Sequence, residues 1–167
     1  FTQFSQLSGA VPMIGVNHGR CFAGNTALLA CCDVIIATKD STIAMGGPAM
    51  IEGGGLGIYT PEEVGPMSFQ VPNGVVDILV EDEAEAVRVA KQYLSYFQGR
   101  VEQWEAPDQR KLRHIVPENR LRLYDMREVI ATIADEESVL EIREGFGVGV
   151  ITCFIRVEGR PMGVIAN

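Results

Sequence analysis

The sequence predicts an α/β fold, and three consecutive stretches predict it. Residues 11–17, Val-Pro-Met-Ile-Gly-Val-Asn, read as a buried strand with proline at its entrance, where a missing N–H does least harm. Ala23 to Cys32 suits a short helix, with Ala, Leu and Thr and no Pro or Gly after Gly24. Asp33-Val34-Ile35-Ile36-Ala37-Thr38 is a β-branched apolar run and reads as a second buried strand. Strand, helix, strand in that order is a βαβ-like unit.

The remaining elements follow in chain order. Ser41 to Met45 predicts a third strand, broken by Gly46-Gly47-Pro48. Residues 46–75 are dense in Gly and Pro and predict either a long ordered loop or a set of short helical turns, a kind of segment that is usually functional. Val75 to Val80 returns to strand character. A helix follows in which Val87, Ala90, Leu94 and Phe97 form the apolar face, with Arg88, Lys91, Gln92 and Ser95 opposite. Residues 99–123 are charged and irregular. Asp125 and Glu128 resemble a capping box for a helix whose apolar face is Met126, Val129, Ile130 and Ile133. Val148 to Val157 and Met162 to Ala166 read as a hairpin around Glu158-Gly159-Arg160-Pro161. So apolar a strand pair needs more sheet or a helix to cover it.

The 167 residues are 47% apolar and 22% charged, ordinary globular proportions that argue against disorder. A net charge of −8 disfavours a nucleic-acid partner, which would select a basic stripe. The acidic clusters at 81–85 and 135–137 are read as solvated helix ends. Cys21, Cys31, Cys32 and Cys153 show no CxxC or Cys/His ligand spacing, so no metal site is expected, and they read as packing thiols of a reduced, cytoplasmic protein. No apolar run approaches the ~20 residues that span a bilayer, and no signal peptide is apparent. The chain begins at Phe1 and stops directly after a hairpin strand, so it is read as an internal piece of something longer.

The stretch Gly19 to Gly24 carries the chemistry. A strand ending at Gly19 and a helix beginning near Ala23 would leave free backbone N–H groups pointing out of the turn. Small residues let a ligand carbonyl approach the backbone closely. Such a place suits a developing oxyanion, and no nucleophile with its base is present there. The competing reading is a tight turn under close helix–sheet packing, and spacing alone does not choose between them.

Gly19-Arg20-Cys21-Phe22-Ala23-Gly24, with an apolar helix, Asp33 and a strand after it, resembles the oxyanion segment of the crotonase superfamily. More closely it resembles the carboxyltransferase (beta) subunit of biotin-dependent acyl-CoA carboxylases. Gly47-Pro48, Glu62-Glu63-Val64-Gly65, Asn73 to Asp77, Tyr124 to Arg127 and Gly159 to Asn167 follow that family's order. The resemblance implies a crotonase-like (ClpP/crotonase) ββα superhelix. Residues 1–115 would be the C-terminal part of the acyl-CoA-binding domain, and residues 116–167 a linker and the beginning of the biotin-side domain.

What the resemblance implies for the site is a pair of backbone donors, Ala23 and Gly24, holding a thioester enolate. Gly19, Phe22, Gly46, Gly47 and Pro48 would line the substrate. The reaction implied is transfer of CO2 from carboxybiotin, carried on a separate protein or domain, to the α carbon of an acyl-CoA. Biotin carboxyl carrier and biotin carboxylase components would be partners, and the full-length protein a homo-oligomer. This chain alone would not complete the reaction. Two other readings stay open. A hydratase or isomerase of the same superfamily would need a glutamate acid/base, for which Glu52 is the best placed, ahead of Glu62 and Glu63. A non-catalytic CoA-binding fragment would need none. Gly53 to Gly57 is no P-loop, since no Lys-Ser/Thr follows. His18, His114 and Trp104 are read as structural or solvated residues.

Overall fold

A single helical turn, Thr2–Ser5 (α1), precedes the first strand, Ile14–Asn17 (β1), and a short second one, Arg20–Phe22 (β2). There follow a helix Gly24–Leu29 (α2), strands Val34–Thr38 (β3) and Thr42–Ala44 (β4), and helices Pro48–Gly53 (α3) and Met67–Gln70 (α4), with a 3-10 turn at Pro61–Glu63. Strand Ile78–Val80 (β5) leads into the long helix Glu83–Ser95 (α5). Beyond it come a 3-10 turn at Gln109–Lys111, helices Leu112–Ile115 (α6) and Met126–Ile133 (α7), and strands Leu140–Ile142 (β6), Ile151–Val157 (β7) and Arg160–Ala166 (β8). This computed structural model describes residues 1–119 and 121–167.

The chain forms two compact units, residues 1–91 with 145–147 and residues 92–144 with 148–167. Their division at Lys91 and Gln92 lies N-terminal to the boundary at 115 and 116 expected from the sequence.

The first unit holds two parallel sheets, β1-β3-β5 and β2-β4. All five residues of β3 are buried, as a central parallel strand covered on both faces requires, and this is why its sequence is unbroken Val-Ile-Ile-Ala-Thr. Gly15 of β1 lets α2 approach, since a Cβ there would fall 2.4 Å from Leu29 Cδ1. Expected strand 75–80 is shortened to β5 because Asp77 works by its side chain: its carboxylate accepts the Ile35 N–H at 2.7 Å while its own N–H donates to the Ile35 carbonyl at 3.0 Å.

The turn expected at Gly19 to Gly24 contains a strand. Arg20, Cys21 and Phe22 pair with Thr42, Ile43 and Ala44, and Cys21 packs with Leu29, Ile35, Ile43 and Met67 in the core. Glycine-rich residues 46–75 resolve into short helical turns. At their centre Gly65 has φ +67, and a Cβ would meet the Ile43 carbonyl oxygen at 2.0 Å. No other residue fits there.

On α5 and the turn after it the buried face is Ala86, Val89, Tyr93 and Tyr96, one residue out of phase with the expected face, and Val87 and Phe97 are about half exposed. The acidic start does cap the helix: Asp82 accepts the Glu85 N–H at 2.8 Å, and Glu85 accepts the Glu81 N–H at 2.9 Å.

In the second unit β6, β7 and β8 form an antiparallel sheet, and Ile130 of α7 with Ala134 just after it covers Ile151, Cys153 and Ile155 of β7. The expected hairpin therefore has a helix on one face and a third strand, β6, beside it. Its turn is tighter than expected, two residues, Glu158 and Gly159, both with positive φ (51° and 74°), the type I′ geometry that matches strand twist. Asp135 is buried, contrary to the solvated helix end expected: its carboxylate accepts the N–H groups of Glu158 at 3.0 Å and Gly159 at 2.7 Å. Buried Arg156 donates to the carbonyls of Ser95, Gly99 and Gly159 at 2.6, 3.0 and 2.7 Å. Asp125 caps α7 through the Arg127 N–H at 2.8 Å, as its position predicts. Cys21 and Cys153 are buried packing thiols, while Cys31 is exposed.

Candidate functional site

Parallel β2 and β4 end side by side, at Phe22 and Ala44, and each runs straight into a helix. The C-terminal edge of a parallel sheet, where such turns gather, is the usual seat of ligands in α/β folds. Here α2 begins after Ala23 and α3 after Gly47, with Pro48 at its first helical position. Phe22 bridges the two turns: a Cβ on Gly47 would lie 3.4 Å from its ring. Phe22, Ala23, Gly24, Gly46, Gly47 and Pro48 are thus brought together.

Gly19 is not. It precedes β2, with φ +77, and its carbonyl accepts the Asn17 side-chain amide at 3.1 Å and the Thr42 N–H at 3.0 Å. Three strand residues separate it from Ala23, roughly 13 Å of extended chain. Its place is at the far end of the strand, where it serves the turn between β1 and β2.

Ala23 has φ 55° and ψ −124°, the dihedrals of the first central residue of a type II′ turn, normally a glycine position. A non-glycine residue held there stores on the order of 1–3 kcal/mol of strain. The Ala23 N–H donates to the Met45 carbonyl at 3.1 Å, so it is engaged by the protein itself. Gly24 occupies the first helical position, where an N–H has no partner within its own helix. A Cβ on Gly24 would meet nothing within 4 Å, so the space beside its Cα is open. Of the two donors expected from the sequence, Ala23 is engaged by the Met45 carbonyl, and Gly24 has no partner within its helix.

Thr26, unremarked in the sequence, fixes this arrangement. Its Oγ1 lies 2.8 Å from the Cys21 carbonyl oxygen and 3.0 Å from that of Ala44. Nothing in its residue type, within Asn-Thr-Ala at a helix start, announces that bridge.

The carboxylates near the turn are engaged elsewhere. Arg20 pairs with Glu62, its Nε donating at 3.1 Å. The Glu62 carboxyl is held below the ordinary carboxylate range first by its own backbone N–H and then by Arg20. Glu63 is held down by the Thr60 N–H at 2.8 Å and the Thr60 hydroxyl at 2.9 Å. Both carboxylates therefore stay ionised, the opposite of what a general acid needs. Glu52 is exposed on α3. His18 is a satisfied structural histidine, its Nδ1 3.1 Å from the Thr38 hydroxyl and its Nε2 3.1 Å from Glu83. His114 is exposed on α6, and neighbouring Arg110 is clamped by Asp108 at 2.7 and 2.8 Å. Trp104 packs near the β7–β8 turn, 3.2 Å from where a Cβ on Gly159 would stand. The Cys32 thiol is pushed up by burial and by Cys31 and Asp33, which keeps it protonated and poorly nucleophilic.

Gly53 to Gly55 close the C-terminal end of α3, so this glycine run offers no helix N-terminus to a phosphate. Among the described residues no group of three or more His, Cys, Asp or Glu gathers to hold a metal ion, and no helix is long and apolar enough to cross a membrane.

Residues 1–167 match the carboxyl transferase domain family. The methylmalonyl-CoA carboxyltransferase 12S subunit of Propionibacterium freudenreichii subsp. shermanii is 33% identical over 171 residues, covering 97% of this chain and 33% of that protein. The propionyl-CoA carboxylase beta chain of Roseobacter denitrificans is 32% identical, over 100% of this chain and 35% of the relative. Among solved structures, a single-chain, multi-domain long-chain acyl-CoA carboxylase is 59% identical with a TM-score of 0.97, over 99% of this chain and 17% of that one. The chain thus spans about a third of the length of its curated relatives. The fold is the crotonase-like one these carboxyltransferases share, and the turn lies within a stretch that aligns throughout. The chain belongs to the carboxyl transferase domain family of the biotin-dependent acyl-CoA carboxylases.

Proposed function

We propose that this chain provides the acyl-CoA side of a biotin-dependent carboxyltransferase, and that the thioester carbonyl docks at the Gly24 N–H. The observation that carries this reading is the strained Ala23–Gly24 turn at the paired ends of β2 and β4, in a chain of this family. Carboxybiotin, carried on another protein or domain, supplies the CO2 and the base when it is bound. What the chain's own residues do is orient and stabilise. Loss of the α-proton moves charge onto the thioester oxygen, and the Gly24 N–H is aimed at it without reorganisation. A donor of this kind is worth about 3–4 kcal/mol in the transition state. Ala23, the other residue of the family's donor pair, keeps its N–H on the Met45 carbonyl and so holds the Gly24 amide in place. Phe22 and Gly47 wall the acyl group, and Gly46 and Pro48 flank it.

On this reading residues 1–115 belong to the acyl-CoA domain and residues 116–167 begin the biotin-side domain, a division that follows the family's motif order and not the compact units divided at 91 and 92. Partners on this reading are the biotin carboxyl carrier and biotin carboxylase components, and further copies of the subunit. A hydratase is disfavoured because Glu62 and Glu63 are tied to Arg20 and Thr60 and because Glu52 is exposed on α3.

The acyl group we assign is a long chain. The relative at 59% identity is named a long-chain acyl-CoA carboxylase. Met50, Leu56 and Ile58, shortly after Pro48, are 66%, 74% and 83% exposed, an apolar surface that an alkyl chain would cover. Titration of palmitoyl-CoA and propionyl-CoA into the protein by calorimetry, followed by transfer of labelled carboxyl in the presence of the biotin-bearing components, tests both parts. Binding of both with preference for palmitoyl-CoA, and label in the acyl-CoA product, is expected. Hydration of crotonyl-CoA without biotin would overturn the assignment.

A further inference from the structure

Thr26 joins the two strands whose ends frame the proposed site. Helical threonines ordinarily turn their hydroxyl back to a carbonyl three or four residues earlier, within the helix. Thr26 reaches five residues back, past the helix start, to Cys21 in β2 at 2.8 Å, and also to Ala44 in β4 at 3.0 Å. It is 7% exposed, so water does not substitute for the protein partners. One hydroxyl carries one proton, so the two carbonyls share it.

The positions of those carbonyls matter. Cys21 is two residues before Ala23, and Ala44 is the residue before Met45, whose carbonyl holds the Ala23 N–H at 3.1 Å. The hydroxyl bridge and the Ala23–Met45 bond are therefore successive rungs between the same two strand ends. Thr26 lies in the first turn of α2, two residues beyond Gly24. A shift of Thr26 moves the Gly24 amide and the distance between the two turns together.

We propose that Thr26 is a positioning residue for acyl-CoA carboxylation: its hydroxyl sets where the Gly24 N–H stands relative to the β4–α3 turn. The proposal rests on the carboxyltransferase reading above. Thr26→Val keeps shape and removes the hydroxyl, while Thr26→Ser keeps the hydroxyl and removes the methyl. With the holoenzyme, including its biotin-bearing components, Thr26→Val should lower kcat for carboxyl transfer about tenfold to a hundredfold with the acyl-CoA KM nearly unchanged, because binding elsewhere on the CoA persists while the reacting carbonyl is misplaced. Thr26→Ser should restore kcat to within about threefold of the wild type. If Thr26→Val does not accumulate, Thr26→Ala against Thr26→Ser makes the same comparison. Wild-type kcat in the hydroxyl-free variant, or equal losses in both variants, would overturn the role of Thr26 while leaving the carboxyltransferase reading in place. A wild-type holoenzyme that transfers no carboxyl group to any acyl-CoA would instead remove that reading, and the proposal with it.

Discussion

The Ala23 N–H donates to the Met45 carbonyl at 3.1 Å, tying the turn after β2 to the turn after β4. This bond is why Ala23 tolerates a glycine-like conformation: the chain must bend sharply there to keep the N–H on Met45 and still start α2 at Gly24. Strain of this kind persists only where the surrounding structure over-determines the backbone, as the Met45 bond and the start of α2 do here.

Ala23 is accordingly sensitive to branching. Ala23→Val should lower unfolding stability by about 1–3 kcal/mol, since a β-branched residue resists positive φ. Ala23→Gly should stay within about 1 kcal/mol of the wild type, relief of strain being offset by a more flexible unfolded chain. Urea unfolding curves of the two variants check this.

Two glycines should respond in opposite ways to the same methyl group. Gly65→Ala forces a Cβ to 2.0 Å from the Ile43 carbonyl oxygen at positive φ and should cost more than about 3 kcal/mol. Gly24→Ala meets nothing within 4 Å and takes a helical position, so its thermal midpoint should hold or rise. Acyl-CoA affinity in Gly24→Ala should nonetheless fall, because the methyl enters the space assigned to the thioester.

These contrasts also show what could be read from the residues. β3 was legible because burial on both faces demands an unbroken β-branched run. β2 was not, because three residues between Gly19 and Ala23 carry no periodicity, and only pairing with β4 makes them a strand. On α5 two adjacent stripes are equally apolar in sequence. Phe154 gathers Tyr96, Tyr93 and Phe97 around it at 5.4, 5.6 and 5.9 Å, an aromatic cluster that no sequence period announces. At the candidate site, the Gly19–Gly24 motif marks Ala23 and Gly24. Thr26 and the Met45 carbonyl carry no such mark, since both act across a strand pairing that no residue type advertises.

Asp135 is the second buried test. Its carboxylate accepts two N–H groups of the β7–β8 turn, so Asp135→Ala should destabilise the protein by about 2–4 kcal/mol, and Asp135→Asn by less, because an amide oxygen still accepts. Chemical denaturation provides the values, and amide exchange at Glu158 and Gly159 should accelerate in both variants.

The carboxylates of Glu62 and Glu63 predict an acid limb confined to the 60–63 turn. Both are depressed in the folded state, so the stability they add is fully present above the ordinary 4.5 and is lost as pH falls through their lower folded values. Carbon-detected NMR titration should place both midpoints below 4.5. Arg20→Met should raise that of Glu62 and leave that of Glu63 in place.

In the proposed site the Gly24 N–H holds the thioester carbonyl, and difference infrared spectroscopy of bound, 13C-carbonyl-labelled acyl-CoA reads that contact directly. In the wild type the carbonyl stretch should move to lower frequency on binding. Replacing the Gly24 amide N–H with an ester oxygen should abolish the shift and reduce carboxyl transfer about a hundredfold or more. A stretch that is unchanged on binding, or one that shifts equally in the ester variant, would contradict the account.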